Sequence, residues 1–169
     1  MTFPARRTAL RFLTAVLACG PSAPAKSTAA DDTFAALQRR GAVVMGVDQA
    51  ASAHIFEDLP SGGRIIFRML DPVDTNGISV IRRHLRSVAD SFSIGDFRAP
   101  AQVHGMEAPG SAGMVRLRSG IGYAVSDIPA GAELRISSAD TAAIAAIHVF
   151  LAFQRMDHRA AGHDHMAQP

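Results

Sequence analysis

The chain has 169 residues, of which 48% are hydrophobic and 19% are charged, which is enough apolar material for the core of one compact domain. Its only cysteine, Cys19, lies close to the N-terminus, so the domain that follows has no disulfide, no thiolate nucleophile and no thiolate metal ligand. Without Arg6, Arg7, Arg11 and Lys26, 13 basic groups face 15 acidic groups, which argues against nucleic acid as a partner.

Residues 1–30 are predicted to be a signal peptide and linker, because arginines precede a short apolar run at residues 12–18 and small residues follow. That run is too short to span a bilayer. Residues 16–19 resemble the box at which bacterial lipoproteins are cleaved and acylated, here on Cys19. The alternative is cleavage after Ala25 or Ala30. We expect a periplasmic or secreted protein, attached to a membrane only if Cys19 carries a lipid.

The first half of the domain is predicted to contain a short helix, a buried strand, a hairpin and a long helix. These occupy, in chain order, residues 33–38, 42–47, the two arms 53–57 and 64–70, and about 78–95. Gly41 ends the first helix, and Asp74 or Thr75 caps the second. If the hairpin closes so that Leu59 faces Arg64, Phe56 faces Phe67, whereas a register shifted by one would move Phe56 and His54 together away from that pairing.

The second half begins with a long loop at residues 96–113, which has no hydrophobic period. Three strands are predicted to follow, at residues 114–117, 121–125 and 133–136. Asp140 caps the last helix. Residues 161–169 are predicted to be a flexible tail that contains histidines.

A motif at residues 58–65, Asp-Leu-Pro-Ser-Gly-Gly-Arg-Ile, returns at residues 127–134 as Asp-Ile-Pro-Ala-Gly-Ala-Glu-Leu. Proline presets φ and glycine supplies a positive φ, as in a tight connection between strands. We therefore predict a single α+β domain at residues 31–160, made of two pseudo-repeats at about 42–97 and 114–158. Two β-β-α units would form an antiparallel sheet with helices on one face.

The sequence contains no phosphate loop, dinucleotide glycine pattern, nucleophile elbow or HExxH motif, so we predict no catalytic residue and favour a protein that is not an enzyme. The histidines and methionines are the remaining side chains that could bind a ligand, and they are potential metal ligands. The candidate metal ligands are His54, His84, His104, Met114 and His148.

Most of these side chains are expected to face the core, and the others lie in or beside the long loop. We expect His54 to face Met69 across the hairpin, and Tyr123 takes its place in the second copy of the motif. His84 and His148 fall on the apolar sides of the two long helices. His158 lies ten residues beyond His148, about 15 Å along a helix, so these two cannot share an ion by themselves.

His104, Met106 and Met114 place one imidazole and two thioethers within eleven residues. Imidazole with thioether suits copper, especially Cu(I), and zinc is the second choice. Histidine and methionine would serve a haem equally well as axial ligands.

The chain resembles an uncharacterised family of small exported bacterial proteins, some of which bear the name aspartate carbamoyltransferase. Residues 45–49, 81–85 and 146–154 carry much of the resemblance. The name is not supported, because that enzyme needs two α/β domains and a Ser-Thr-Arg-Thr-Arg phosphate loop. The resemblance implies that relatives share His54, His84, His104, Met114, His148 and an acidic-His pair like Asp157-His158, but not Met106.

Two functions stay open at this point, and a third ranks below them. The first is an exported metal-binding protein. The second is a non-enzymatic module of the envelope that binds a partner protein or a small ligand, with histidines that are structural or respond to pH. A hydrolase or transferase with a histidine as general base comes last, because no nucleophile or paired carboxylate accompanies it.

Overall fold

Residues 28–162, which the computed structural model describes, contain a single antiparallel sheet of four strands. The strands are β1 (Ser52–Leu59), β2 (Gly62–Met69), β3 (Ile121–Ile128) and β4 (Gly131–Ser138), in the order β1-β2-β4-β3. The helices are α1 (Ala29–Met45), α2 (Thr75–Ser93), α3 (Arg98–His104), α4 (Ser111–Arg116) and α5 (Thr141–His158). The predicted α+β class is confirmed. Residues 1–27 of the predicted signal and linker, with Cys19, and residues 163–169 of the predicted tail lie outside the described residues. Ala29 and Ala30 already belong to α1, and Ala161 pairs with Ile55 of β1.

The two hairpins meet at the centre of the sheet, where β2 pairs with β4 and Ile65 lies opposite Leu134. One face of the sheet is apolar and buried under the helices, with Phe67 and Ile136 among its side chains. The other face is polar, and Arg64 lies there between two glutamates. Because side chains alternate between the two faces, the apolar side chains of each strand lie together on one face. Both long helices pack on that face, as predicted.

The turn of the first hairpin holds only Pro60 and Ser61, so Leu59 pairs with Gly62. The predicted pairing of Leu59 with Arg64 is wrong. A two-residue connection is shorter than the loop that the motif suggested, and Gly62 adopts a φ of 139° directly after it.

As a result, the pairing along the whole hairpin is shifted by two residues. His54 lies opposite Phe67 rather than Met69, and Phe56 lies opposite Ile65. Side chains alternate between faces with a period of two, so a shift of two keeps every side chain on its predicted face. His54 and Phe56 therefore still point towards the helices.

Each long helix packs mainly on the hairpin of the other unit. Helix α2 contacts β3 and β4, and α5 contacts β1 and β2. Their starts are capped as predicted: the Asp74 carboxylate accepts from the Gly77 amide at 2.9 Å, and Asp140 accepts from the Ala142 amide at 2.7 Å. No helix among residues 28–162 is long and apolar enough to cross a membrane.

Helix α1 continues through Gly41 to Met45, so the predicted strand at residues 42–47 is wrong. Its buried residues recur every fourth position at Leu37, Gly41 and Met45, whereas Val43 is 84% exposed. The β-branched run lowers helix propensity only slightly, and packing of this face outweighs it. Gly46, with a φ of 74°, ends the helix instead.

The predicted loop at residues 96–113 and the predicted strand at residues 114–117 are also wrong. Helices α3 and α4 occupy most of that stretch, and a short 3₁₀ turn at Arg118–Gly120 leads into β3. Helices of six or seven residues are too short to show an amphipathic period. His104, one of the candidate ligands, is the last residue of α3, and Gly105 caps this helix.

Candidate functional site

Four histidines line one cavity of about 70 Å³ between the first hairpin and the helices. They are His54, His84, His104 and His158, and Met45 lines the cavity with them. Each comes from a different element, in chain order α1, β1, α2, α3 and α5. Most of the remaining lining residues are aliphatic or aromatic, so the cavity is an apolar space with imidazoles in its wall.

His54 is held by aromatic packing. Its ring lies flat on Phe67, with the centroids 3.8 Å apart and the planes 17° from parallel. The edge of the same phenyl ring faces His84, whose centroid is 6.2 Å away. On its other side His54 meets His158, at 5.2 Å between centroids. Alternation along β1 explains the inward orientation of His54, and the register opposite Phe67 explains the stacking.

His104 is held by hydrogen bonds at both nitrogens. Its side chain is 1% exposed, and Nδ1 is hydrogen-bonded to Oδ2 of Asp157. Nε2 lies 2.9 Å from Oε1 of the side-chain amide of Gln154. The ring is also perpendicular to that of His158, with the centroids 5.1 Å apart. The last turns of α5 thus supply three of the groups around His104.

Three of the four imidazoles are held neutral by their surroundings. Burial lowers the pKa of His84 and of His158 from the ordinary 6.5 to about 4. At His158 the nearby His104 lowers the pKa further and Asp157 opposes this. Burial, followed by the charges of His158 and His84, holds the pKa of His54 well below its ordinary range. Neutral imidazoles carry a lone pair, which is the form that binds metals.

Gln154 is the buried polar residue of the cavity wall and is 5% exposed. One end of its amide contacts His104. The other end has no hydrogen-bond partner within residues 28–162. Buried polar groups nearly always have a partner, so an unpartnered amide at a cavity indicates a place for a ligand group.

The five predicted ligands do not all come together. His54, His84 and His104 share the cavity, whereas Met114 and His148 lie elsewhere. Met114 is fully buried in the core on α4. The Nε2 atom of His148 lies 3.0 Å from the carbonyl oxygen of Leu59 and holds the end of β1 against α5.

The candidate ligands did not include His158, Met45, Asp157 or Gln154, although the resemblance pointed to the pair Asp157-His158. His158 was compared only with His148, and its i, i+4 relation to Gln154 on α5 was the signal that could have placed it on the inner face. Met45 was assigned to a strand. Its spacing of eight residues from Leu37 was the corresponding signal for a helical face.

The described conformation does not hold a complete metal site. Among residues 28–162, no three or more His, Cys, Asp or Glu side chains are positioned to bind one ion together. His54 and His158 also line an outer cleft of about 370 Å³. His104 and Asp157 line a second cleft, beside α1. The cavity therefore shares lining residues with two clefts.

Comparisons with known proteins found no match to this chain among protein-family models, curated proteins or solved structures. The function is therefore inferred from the residues around the cavity.

Proposed function

We propose that this chain is an exported metal-binding protein that holds copper, or less favourably zinc, with the imidazoles of the cavity. The observation that carries the proposal is the convergence of four histidines from four separate elements on one small cavity, three of which are kept neutral by burial. Keeping several imidazoles uncharged in an apolar space destabilises a fold wherever they would otherwise be protonated. A bound metal ion would offset that loss of stability, because it binds to neutral imidazoles.

The spacing of the rings supports this assignment. Two imidazoles that share an ion at about 2 Å per bond have centroids about 5 to 6 Å apart. His158 lies 5.2 Å from His54 and 5.1 Å from His104. These ring distances are those of two ligands of one ion, and the proposal requires the ring nitrogens to turn towards a common point when an ion binds.

Copper is favoured over zinc by Met45, which lines the cavity. Soft thioether ligands select Cu(I), whereas hard cations need carboxylates or carbonyl groups. The cavity volume of about 70 Å³ favours an ion over a haem, because even drug-sized organic ligands occupy pockets of about 300–1,000 Å³.

A location in the periplasm or outside the cell is part of this proposal and is supported by the N-terminal sequence. We also propose that the domain arose from a duplicated β-β-α unit. The repeated motif supports this origin, and so do two corresponding ion pairs. Asp58 binds Arg155 of α5, and Asp127 binds Arg86 of α2, with members of the two pairs 69 residues apart.

A second candidate function is the binding of a small uncharged molecule by the same cavity. The apolar lining and the unpartnered amide end of Gln154 favour it. The ligand would contain a few heavy atoms and one hydrogen-bonding group. Acetamide, titrated into the metal-free protein, would then shift the NMR resonances of the His54 and His158 rings.

The test of the metal proposal is a titration of the full chain with Cu(I) against a chromophoric chelator, and separately with Zn²⁺. All variants carry His163→Ala and His165→Ala, so that ions bound by the tail are not counted. We expect one tightly bound Cu(I), and an affinity at least about tenfold lower in His54→Ala or His158→Ala.

His148→Ala is the matched control, because His148 is a partly buried histidine outside the cavity. It should bind as tightly as the parent chain. Absence of binding by the parent chain would contradict the proposal. Equal affinity in all three variants would remove these histidines from the site.

A further inference from the structure

We infer that Asp157 and Gln154 have opposite effects on metal binding by the imidazole of His104: Asp157 strengthens it and Gln154 weakens it. Asp157 orients His104 so that its Nε2 atom is the one that binds, and the amide of Gln154 occupies Nε2 until an ion displaces it. The inference deepens the proposed function and rests on it. It makes Asp157 a positioning residue and Gln154 a competitor, although both hydrogen-bond to one ring.

The first step concerns Asp157. Its carboxylate is 33% exposed and meets Nδ1 of a ring that is 1% exposed. A carboxylate only accepts, so Nδ1 of His104 carries a hydrogen, and in the neutral ring the lone pair then lies on Nε2. A carboxylate in this position fixes both the tautomer and the ring orientation of a metal-binding histidine and raises its basicity.

The second step concerns Gln154, whose Oε1 atom lies 2.9 Å from Nε2 of His104, while its buried NH₂ group has no partner within residues 28–162. A half-turn of the amide exchanges its oxygen and its nitrogen. A lone pair on Nε2 needs a donor, so we assign the NH₂ group to this contact. This assignment leaves one unsatisfied acceptor in place of an unsatisfied donor, and buried structure tolerates the acceptor better.

The third step is the position of the two groups relative to the cavity. The cavity is lined by Gln154, His104 and His158. Asp157 lines the second cleft, beside α1, together with His104. The ring of His104 therefore separates its two partners, with the amide on the cavity side and the carboxylate on the solvent side. An ion that enters the cavity would meet the amide at Nε2 and leave the contact with Asp157 intact.

The test compares Asp157→Asn with Gln154→Leu in full chains that carry the two tail substitutions. Loss of the carboxylate should lower the Cu(I) affinity about 10- to 100-fold. Loss of the competing amide should raise it about 2- to 10-fold, which is the value of one hydrogen bond. Asp157→Glu should recover part of the affinity. Gln154→Ala replaces Gln154→Leu if leucine prevents folding.

If both residues were merely structural, both substitutions would weaken binding, and that outcome would overturn the competition by Gln154. An unchanged affinity in Asp157→Asn would overturn the role of Asp157. Nitrogen NMR of His104 in the metal-free protein supplies a readout that needs no ion. We expect the Nδ1–H tautomer in the parent chain and in Gln154→Leu, and its loss in Asp157→Asn.

The two proposals fail in different ways. If the parent chain binds no ion, the proposed function and the competition by Gln154 are both wrong. The tautomer measurement still decides the role of Asp157, because an Nε2–H tautomer in the parent chain contradicts it directly.

Discussion

The first hairpin, β1–β2, and the second hairpin, β3–β4, present different side chains to the helices that pack on them. In the first, His54 stacks on Phe67 and meets His158 of α5. At the corresponding place in the second, Tyr123 pairs with Ile136 and packs against a phenylalanine of α2. The two hairpins have the same strand arrangement, but the imidazoles of the cavity lie beside the first hairpin.

The two hairpins also differ in how an aspartate near their turns binds an arginine from the facing helix. The carboxylate of Asp58 is 2% exposed and lies 3.2 Å from Arg155. The carboxylate of Asp127 is 42% exposed and lies 2.6 Å from Arg86. The same pair of residue types is thus buried at the first hairpin and solvated at the second.

The largest expected effect is the difference in the free energy of unfolding that is lost when each of these two ion pairs is broken. Asp58→Asn should lower the free energy of unfolding by about 3 to 5 kcal/mol, because it leaves the charge of Arg155 buried without its carboxylate. Asp127→Asn, the matched control, should lower it by about 1 kcal/mol or less. Urea unfolding followed by circular dichroism measures both. Equal losses would show that the two ends of the sheet are electrostatically alike.

The next effect is a pH dependence that belongs to the cavity side. The folded-state pKa of His84 and of His158 is about 4, below the 6.5 of the unfolded chain. The unfolded chain therefore binds more protons between pH 6.5 and 4, and the free energy of unfolding falls as the pH is lowered through that window. Each histidine accounts for up to about 3 kcal/mol.

Urea unfolding of the metal-free chain at several pH values between 7.5 and 4 measures this loss. His84→Leu and His158→Leu should each reduce it, because each removes one buried group that titrates. Tyr123, at the corresponding place in the second hairpin, does not titrate in this range, since burial raises its pKa to about 12. A pH dependence that is unchanged in both leucine variants would contradict the assignment.

The smallest effect concerns Tyr123 itself. Its hydroxyl group is buried and has no hydrogen-bond partner among residues 28–162. Tyr123→Phe removes that group and keeps the ring against Phe92, so we expect the free energy of unfolding to rise by about 1 kcal/mol. Thermal and urea unfolding would measure the gain. A clear loss of stability would instead indicate a partner for the hydroxyl group and a polar site in the second hairpin.

Local signals were sufficient where an element's boundary depends on neighbouring residues. The caps at Asp74 and Asp140 were predicted correctly because a capping carboxylate bonds to amides two or three residues away. Gly41 misled the prediction for α1. A glycine ends a helix when it adopts the left-handed conformation, and packing of the buried helix face allowed Gly41 to remain helical while Gly46 took that role.

The site was predicted in part. His54, His84 and His104 were identified as candidates, and the structure places all three at one cavity. His158 and Met45 were missed because their inward positions depend on where the ends of α5 and α1 dock. Contacts such as that between His54 and His158 join residues about a hundred positions apart, and periodicity within either segment carries no information about them.

The sequence by itself determined the α+β class, the repeated hairpin motif, the face of the sheet on which His54 lies and the starts of both long helices. All of these follow from periods of two and 3.6 residues and from turn and cap chemistry. Only the tertiary structure decided which histidines meet, that Asp157 and Gln154 bind the two nitrogens of His104, and that Met114 and His148 stand apart. Those outcomes depend on the packing of α1, α3 and α5 against the first hairpin, which is set by the volume and shape of a shared core.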